Sequence, residues 1–349
     1  MSQWRNEAVK ARTHCEGEAD LFQPQTYATA LFLMFATMLC WGSWANTIKA
    51  CPRYRFQLLY WDYVLGLIVA ALFWGLTLGS FGSSGRTFFA DLAQANEHHL
   101  LLAIAGGAIF NVANLLLVAA IEIAGLAVAF PVGIGLALIV GAVSSYLLAP
   151  SGNPLMLFGG IALVVGAIVF DALAYRLREA QHRSLSKRGL AISLTAGLLM
   201  GSFYPFVSRA MTGEHALGPY AIALVFALGV ALCAVPFNYL LMRRPLDGSA
   251  PVALGGYWRA KASWHLWGML GGAIWCTGAA FNFVASRANI VGPAVSYSIG
   301  QGATMISAGW GVFVWKEFKG APLGSRVFLG WMFALFICGL TAISLAPLY

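Results

Sequence analysis

HLLLAIAGGAIFNVANLLLVAAIEIAGLAVAFPVGIGLALIVGAVSSYLL (residues 99–148) and HLWGMLGGAIWCTGAAFNFVASRANIVGPAVSYSIGQGATMISAGWGVFVW (residues 265–315) read as two copies of one pattern. A constant offset of 165 residues (271 − 106) lays Gly106, Gly107, Ala108 and Ile109 on Gly271, Gly272, Ala273 and Ile274. The same offset lays Gly135 on Gly300 and Gly159 on Gly324. Each copy is an apolar segment, a hinge of four to five residues and a second apolar segment.

Working outward, the 349 residues are 60% hydrophobic and 10% charged, with mean hydropathy +0.75. A soluble domain carries about 25% charged residues, so this chain belongs in a lipid bilayer. Its net charge of +8 therefore reads as loop charge that sets membrane orientation rather than as a nucleic-acid surface. The polar residues 1–26 precede the first apolar run and do not form a cleavable signal peptide. Six scattered cysteines, Cys15, Cys40, Cys51, Cys233, Cys276 and Cys338, without a CxxC or Cys/His cluster, point to neither a disulfide framework nor a metal site, and no cofactor is implied. GxSxG, HExxH and P-loop patterns are missing, so the chain does not read as an enzyme.

A bilayer core takes about 20 apolar residues per helix. Ten segments qualify, near 27–45, 58–79, 100–120, 126–148, 154–175, 189–210, 218–241, 264–286, 291–315 and 324–346. Gly42-Ser43-Trp44 in the first matches Gly201-Ser202-Phe203 in the sixth, which makes the repeating unit five helices. The predicted fold is all-α and integral to the membrane: a polar tail (1–26), a first repeat (27–175), a basic linker (176–188) and a second repeat (189–346). An odd number of crossings per unit inverts the second repeat relative to the first, and such folds bind solutes near mid-membrane between the halves. Six Lys and Arg fall on the side holding both termini and 15 on the other, which puts the basic side in the cytoplasm. The plasma membrane is the expected location; nothing in the sequence reads on the oligomeric state.

Polar side chains deep in apolar segments are the candidate site, because an unpaired amide in hydrocarbon costs several kcal/mol. Asn111 and Asn114 stand three apart on one helix face, with Asn282 on the eighth segment and Tyr297 and Gln301 on the ninth. They read either as interhelical hydrogen bonds or as the lining of a cavity for a neutral polar solute. Trp41, Trp44 and Trp275 lie beside Gly-Ser or Gly-Gly pairs, where an indole can stack on a sugar or a planar heterocycle; Tyr60, Trp61 and Trp310 read as interface anchors. The glycines pack helices closely, and the interrupted runs after Pro131 (Val132-Gly133-Ile134-Gly135) and Pro293 (Ile299-Gly300-Gln301-Gly302) are candidate hinges. Asp62 is the candidate proton carrier, or else an interfacial carboxylate paired with Lys49, Arg53 or Arg55. Glu122 is a second candidate, and its 165-offset match with Arg287 suggests a gate salt bridge.

Ten helices in two inverted halves resemble the drug/metabolite transporter superfamily. The run YWDYVLGLIVAALFWGLTLGSFG, followed by FFADL and AGGAIFNVANLLLVAAIEIAGLAVAFPV, is similar to the ureide permeases. The matching positions are Asp62, Tyr63, Leu76-Thr77-Leu78-Gly79, Gly106, Gly107 and Asn114. GLAVAFPVGIGLALIVGAV and Trp315-Lys316-Glu317-Phe318 resemble instead the rhamnose–proton symporter and related glucose/ribose porters. Unlike the plant permeases, this chain lacks a long hydrophilic central loop. The resemblance implies proton-driven uptake of a small neutral polar solute, a monosaccharide or a ureide/nucleobase, with protons and the lipid bilayer as the other partners. The candidate cavity residues are Trp44, Asn111, Asn114, Trp275, Asn282, Tyr297 and Gln301, between segments 1–4 and 6–9. The rival readings are an exporter of the same superfamily, a membrane sensor that does not transport, and a lipid-modifying enzyme.

Overall fold

A computed structural model describes residues 22–81, 86–178, 186–288 and 291–349. Residues 1–21, with Cys15, and residues 179–185 of the linker lie outside the described residues. In chain order the helices are α1 (Tyr27–Ser43), α2 (Asn46–Lys49), α3 (Phe56–Leu76), α4 (Phe88–Gln94), α5 (Glu97–Ala124), α6 (Leu126–Leu148) and α7 (Pro154–Arg178). There follow α8 (Lys187–Ala210), α9 (Pro219–Arg243), α10 (Gly255–Trp258), α11 (Ala262–Arg287), α12 (Pro293–Gly300), α13 (Ala303–Gly309), a π-helical turn (Trp310–Val314) and α14 (Leu323–Leu345). No strand occurs among the described residues.

Local chemistry sets the helix ends. Thr26, Asn96 and Ser186 cap α1, α5 and α8 by accepting the third following backbone N–H, from Thr29, His99 and Gly189. The hinge expected between the two segments of the first copy shrinks to one residue: Gly125, at φ +80°, both ends α5 and starts α6. In the second copy Gly292, at φ +77°, precedes Pro293 as the N-cap of α12, while α11 already ends at Arg287 with Ala288 as its C-cap. Only glycine adopts this backbone freely.

Among the described residues nine helices, not ten, are long and apolar enough to cross a membrane. The segment expected at 291–315 is broken into α12, α13 and the π turn, with the break at Gln301-Gly302. The matching run after Pro131 is not a break: α6 continues through it.

Helices α5 and α11 form the centre. Helix α5 packs on α8 and α9, and α11 packs on α1 and α3, while α7 lies along α14. The paired glycines make these approaches possible. A Cβ on Gly107 would stand 2.9 Å from Val230 N of α9, and one on Gly272 would stand 2.9 Å from Leu67 N of α3. A Cβ on Gly135, by contrast, would meet nothing within 4 Å, so the packing role expected of this glycine is not fulfilled. Phenylalanine and tyrosine side chains fill the space between, with Phe110, Phe226, Phe283, Tyr204 and Tyr297 fully buried.

Candidate functional site

A cavity of about 640 Å³ enters the bundle from one end and stops at its middle. Its inner wall is aromatic. Trp41 of α1 stacks on Trp275 of α11 at 5.6 Å between centroids, and Phe110 of α5 lies 4.2 Å from Trp275. The Trp41 indole N–H donates to the Trp275 carbonyl at 3.2 Å. Phe226 stacks on Trp275 at 5.9 Å, and Phe203, which also lines the cavity, touches both Phe110 and Phe226. Polar groups interrupt the wall: Asn114 from α5, Gln301 from the α12–α13 break, and Thr304 and Ser307 from α13. Asn114 is 5% exposed and its Nδ2 has no hydrogen-bond partner.

The mouth is charged. Lys49, Glu122, Tyr175, Arg178 and Glu317 line it. Glu317 accepts from Lys49 Nζ at 2.5 Å through Oε1, and from Arg178 (3.2 Å) and the Tyr175 hydroxyl (3.1 Å) through Oε2. Burial raises the pKa of this carboxyl, but Lys49, Tyr175 and Arg178 outweigh it and hold Glu317 below its ordinary value. The ion pairs join α2 and α7 to the connection between the π turn and α14. Trp315 completes the join, under Lys49 at 4.7 Å and donating to Asn46 Oδ1 at 2.6 Å.

The opposite end is sealed. Asp91 of α4 accepts the Gly218 backbone N–H, Arg287 donates to the Leu217 carbonyl at 2.8 Å, and a His99 ring nitrogen meets the Glu214 carbonyl at 3.2 Å. Burial raises the Asp91 pKa against the lowering effect of Gly218, Gln94, Arg287 and Arg86.

Of the seven candidate cavity residues, Trp44, Asn114, Trp275 and Gln301 line the cavity. Asn111, Asn282 and Tyr297 do not; all three are fully buried. Asn111 Oδ1 accepts from Tyr60 at 2.9 Å. Asn282 accepts from Tyr204 at 2.5 Å and donates to the Ser296 carbonyl at 2.9 Å, and Tyr297 donates to the Ala137 carbonyl at 3.1 Å. Tyr60 is thus interior and not an interface anchor. Glu122 lies at the mouth while Arg287 lies at the sealed end, so the suggested gate salt bridge is not formed.

Asp62 sits away from the cavity, 1% exposed, at the seam of α3 and α11. Its partners are His265 Nδ1 at 2.9 Å, Tyr257 at 2.6 Å and Tyr54 at 3.1 Å, not Lys49, Arg53 or Arg55. Burial and the Asp62 carboxyl push Tyr257 up to about 12. Sequence reasoning does not single out Lys49, Tyr175, Arg178, Phe110, Phe203 or Glu317 as lining residues. The stretch Trp315-Lys316-Glu317-Phe318 stands out there for its resemblance alone, although a lone acid among basic residues at a helix end is an ion-pair signal.

Known proteins bear on this geometry. The ureide permease family model matches residues 59–188. Ureide permease 1 of Arabidopsis thaliana is 22% identical over 91% of this chain and 96% of its own length. Ureide permease 4 of the same plant is 22% identical over 91% and 96%. A protein of known crystal structure superposes with TM-score 0.62 over 90% of this chain and 96% of its own, at 16% identity, a likeness of fold alone. Of the two family resemblances read from the sequence, the one to the ureide permeases is borne out. With nine helices long and apolar enough to cross a membrane among the described residues, and permease relatives, the chain is an integral, multi-pass membrane protein.

Proposed function

We propose that the chain is a secondary active transporter, a proton symporter that imports a small neutral polar solute of ureide or nucleobase type through the aromatic cavity. The observation that carries this reading is the meeting, in a cavity of about 640 Å³, of stacked indoles with the carboxamides of Asn114 and Gln301, a third, Asn46, being tied to Ser43 and Trp315 nearer the mouth. That volume suits a small molecule. Flat indole faces favour a planar ring, and amides donate and accept together, as a cyclic amide or urea requires. Trp44, Asn114, Trp275 and Gln301 contact the solute in this reading, and Asn111, Asn282 and Tyr297 hold their helices from behind. The names of the curated relatives support the same class.

Alternating access would come from two inverted five-helix halves, counting α12 and α13 as one interrupted crossing. The packing supports this count. The contact of α5 with α8 is answered by that of α11 with α1, that of α6 with α8 by that of α13 with α1, and that of α9 with α5 by that of α11 with α3. The cavity mouth lies on the basic side, the cytoplasmic one by loop charge. Of the coupling candidates read from the sequence, Glu122 lines the cavity, whereas Asp62 lies away from it at the α3–α11 seam with both oxygens bonded.

The test is a thermal-stability screen of the purified protein against allantoin, uracil, xanthine, rhamnose, glucose and ribose at pH 5.5 and 7.5. A solute at 100 times its dissociation constant adds about 2.7 kcal/mol to the folded state. Stabilisation by a heterocycle is expected. Stabilisation by a sugar alone replaces the substrate class, and stabilisation by none of the six overturns the import reading in favour of an exporter.

A further inference from the structure

The carboxylates held within or beside the bundle differ in one respect. Asp62 has both oxygens bonded, Asp91 accepts from Gly218 and Gln94, and Glu317 accepts from Lys49, Arg178 and Tyr175. Asp171 of α7 is 4% exposed, and its Oδ1 has no hydrogen-bond partner. A lone anion is strongly disfavoured in such a place. A neutral carboxyl is not.

Asp171 is also placed to act. Asp171, Tyr175 and Arg178 follow at i, i+4 and i+7, so they share one face of α7. The latter two line the cavity mouth and bond Glu317. Asp171 therefore lies one turn of α7 deeper than Tyr175 and about two turns deeper than Arg178. The π turn brings Gly311 against the Lys49–Glu317–Arg178 cluster: a Cβ there would stand 3.1 Å from the Tyr175 hydroxyl and 3.2 Å from Glu317 Oε2. The Glu317 N–H donates to the Gly311 carbonyl at 2.8 Å. Such π turns recur where a helix must serve a site.

The charged and titratable groups around Asp171 are few. Tyr175 and Arg178 come from its own helix. Glu317, close enough to act on it electrostatically, comes from the connection before α14 and brings Lys49 with it. Helix α6 carries no charged residue. Helix α14 presents Ser325, which donates to the Ala174 carbonyl, while its Arg326 is exposed.

We propose that Asp171 binds the transported proton, and that its charge state sets the grip of Glu317 on Lys49 and Arg178 at the cavity mouth. This rests on the symport reading above. One proton adds to the Asp171 carboxylate and leaves it neutral, with Glu317 holding both cations. When that proton departs, a second anion stands beside Glu317 and competes for Arg178, and the join between α2, α7 and the segment before α14 loosens. Coupling follows because the join bridges the two halves.

Two measurements decide it. In pH-jump infrared difference spectra of the full chain in lipid, acidification of the wild type should raise a neutral-carboxyl C=O band. The band should vanish in Asp171→Asn, persist in Asp62→Asn and move in Asp171→Glu. Its survival unchanged in Asp171→Asn overturns the proposal. In proteoliposomes with labelled allantoin, a gradient of about two pH units can sustain up to about a hundredfold accumulation for one proton per solute. Asp171→Asn should bring the accumulation ratio to one and make allantoin counterflow independent of pH, and Asp171→Glu should recover part of the gradient-driven uptake. Wild-type accumulation by Asp171→Asn also overturns it. A wild type that moves no allantoin counts against the transport reading, whereas the infrared bands still decide where the proton binds. If Asp171→Asn does not fold, the Asp171→Glu band must move or the proposal fails.

Discussion

Replacing Gly272 by alanine adds one methyl group where α11 packs directly on the backbone of α3. The new Cβ would stand 2.8 Å from Tyr63 C and 2.9 Å from Leu67 N, and nearer still to the Tyr63 carbonyl oxygen, all backbone atoms of α3. Carbon contacts settle at about 3.5–4.0 Å, so α3 must retreat by roughly 0.6 Å from Leu67 N alone. No rotamer change can relieve a clash with backbone. Overpacking of this kind costs about 1–3 kcal/mol, against which the helix recovers about 1 kcal/mol from replacing glycine. The expected net loss is about 0–2 kcal/mol. Gly107→Ala meets Phe226 O, Val230 N and Gly229 C of α9 in the same way and should lose as much. Gly159→Ala is the control: it sits inside α7, exposed, with nothing within 4 Å of its Cβ, and should gain about 0.5–1 kcal/mol. Thermal unfolding of the three variants in one detergent gives the ranking, even where unfolding is irreversible. If Gly272→Ala and Gly107→Ala melt with Gly159→Ala, the close-approach argument is wrong.

Three further outcomes follow from the site. Asn114→Leu removes a cavity-wall amide whose Nδ2 has no hydrogen-bond partner, so stability should change little, while affinity for a solute that bonds this amide falls by about 1–3 kcal/mol; titration calorimetry against the stabilising solute measures the second effect. Glu317→Gln breaks ion pairs whose cations are 43% and 32% exposed, so it should cost under about 2 kcal/mol. Because the folded Glu317 pKa is depressed, its contribution is complete above its ordinary value of 4.5 and is lost as pH falls through the lowered one. Melting curves of wild type and variant should therefore converge only at acid pH, as Glu317 is protonated below its ordinary value, and stay apart above it. Tyr257→Phe deletes the 2.6 Å hydrogen bond to Asp62, a charge-assisted bond worth about 1.5–3 kcal/mol, and should speed protease cleavage between residues 244 and 261.

Hydropathy made the membrane segments legible because lipid rewards the same side chains in every crossing. The limits of that signal are visible in the two asparagines of α5. Asn111 and Asn114 are three residues apart and chemically identical, yet one bonds Tyr60 and the other borders the cavity. Which of two neighbouring polar residues meets a helix and which meets a void depends on the partner helix, and one segment's sequence does not contain that partner. Asn282 and Tyr297 failed for a related reason, since the Ser296 and Ala137 carbonyls that bond them are backbone groups present at every position. The partners of Asp62 come from residues 54, 257 and 265. Sequence proximity pointed instead to the basic residues just before α3.

The break at Gln301-Gly302 has no counterpart in α6. A carrier built from interchangeable halves would present its cavity to either compartment with equal ease, as a symmetric hinge swings both ways. In the transport cycle proposed above, one half would turn on a fractured rod and the other on a solid one. The two facing states would then differ in energy before any solute or proton arrives, like a sprung door with a preferred side, and a driving gradient would do its work against that spring.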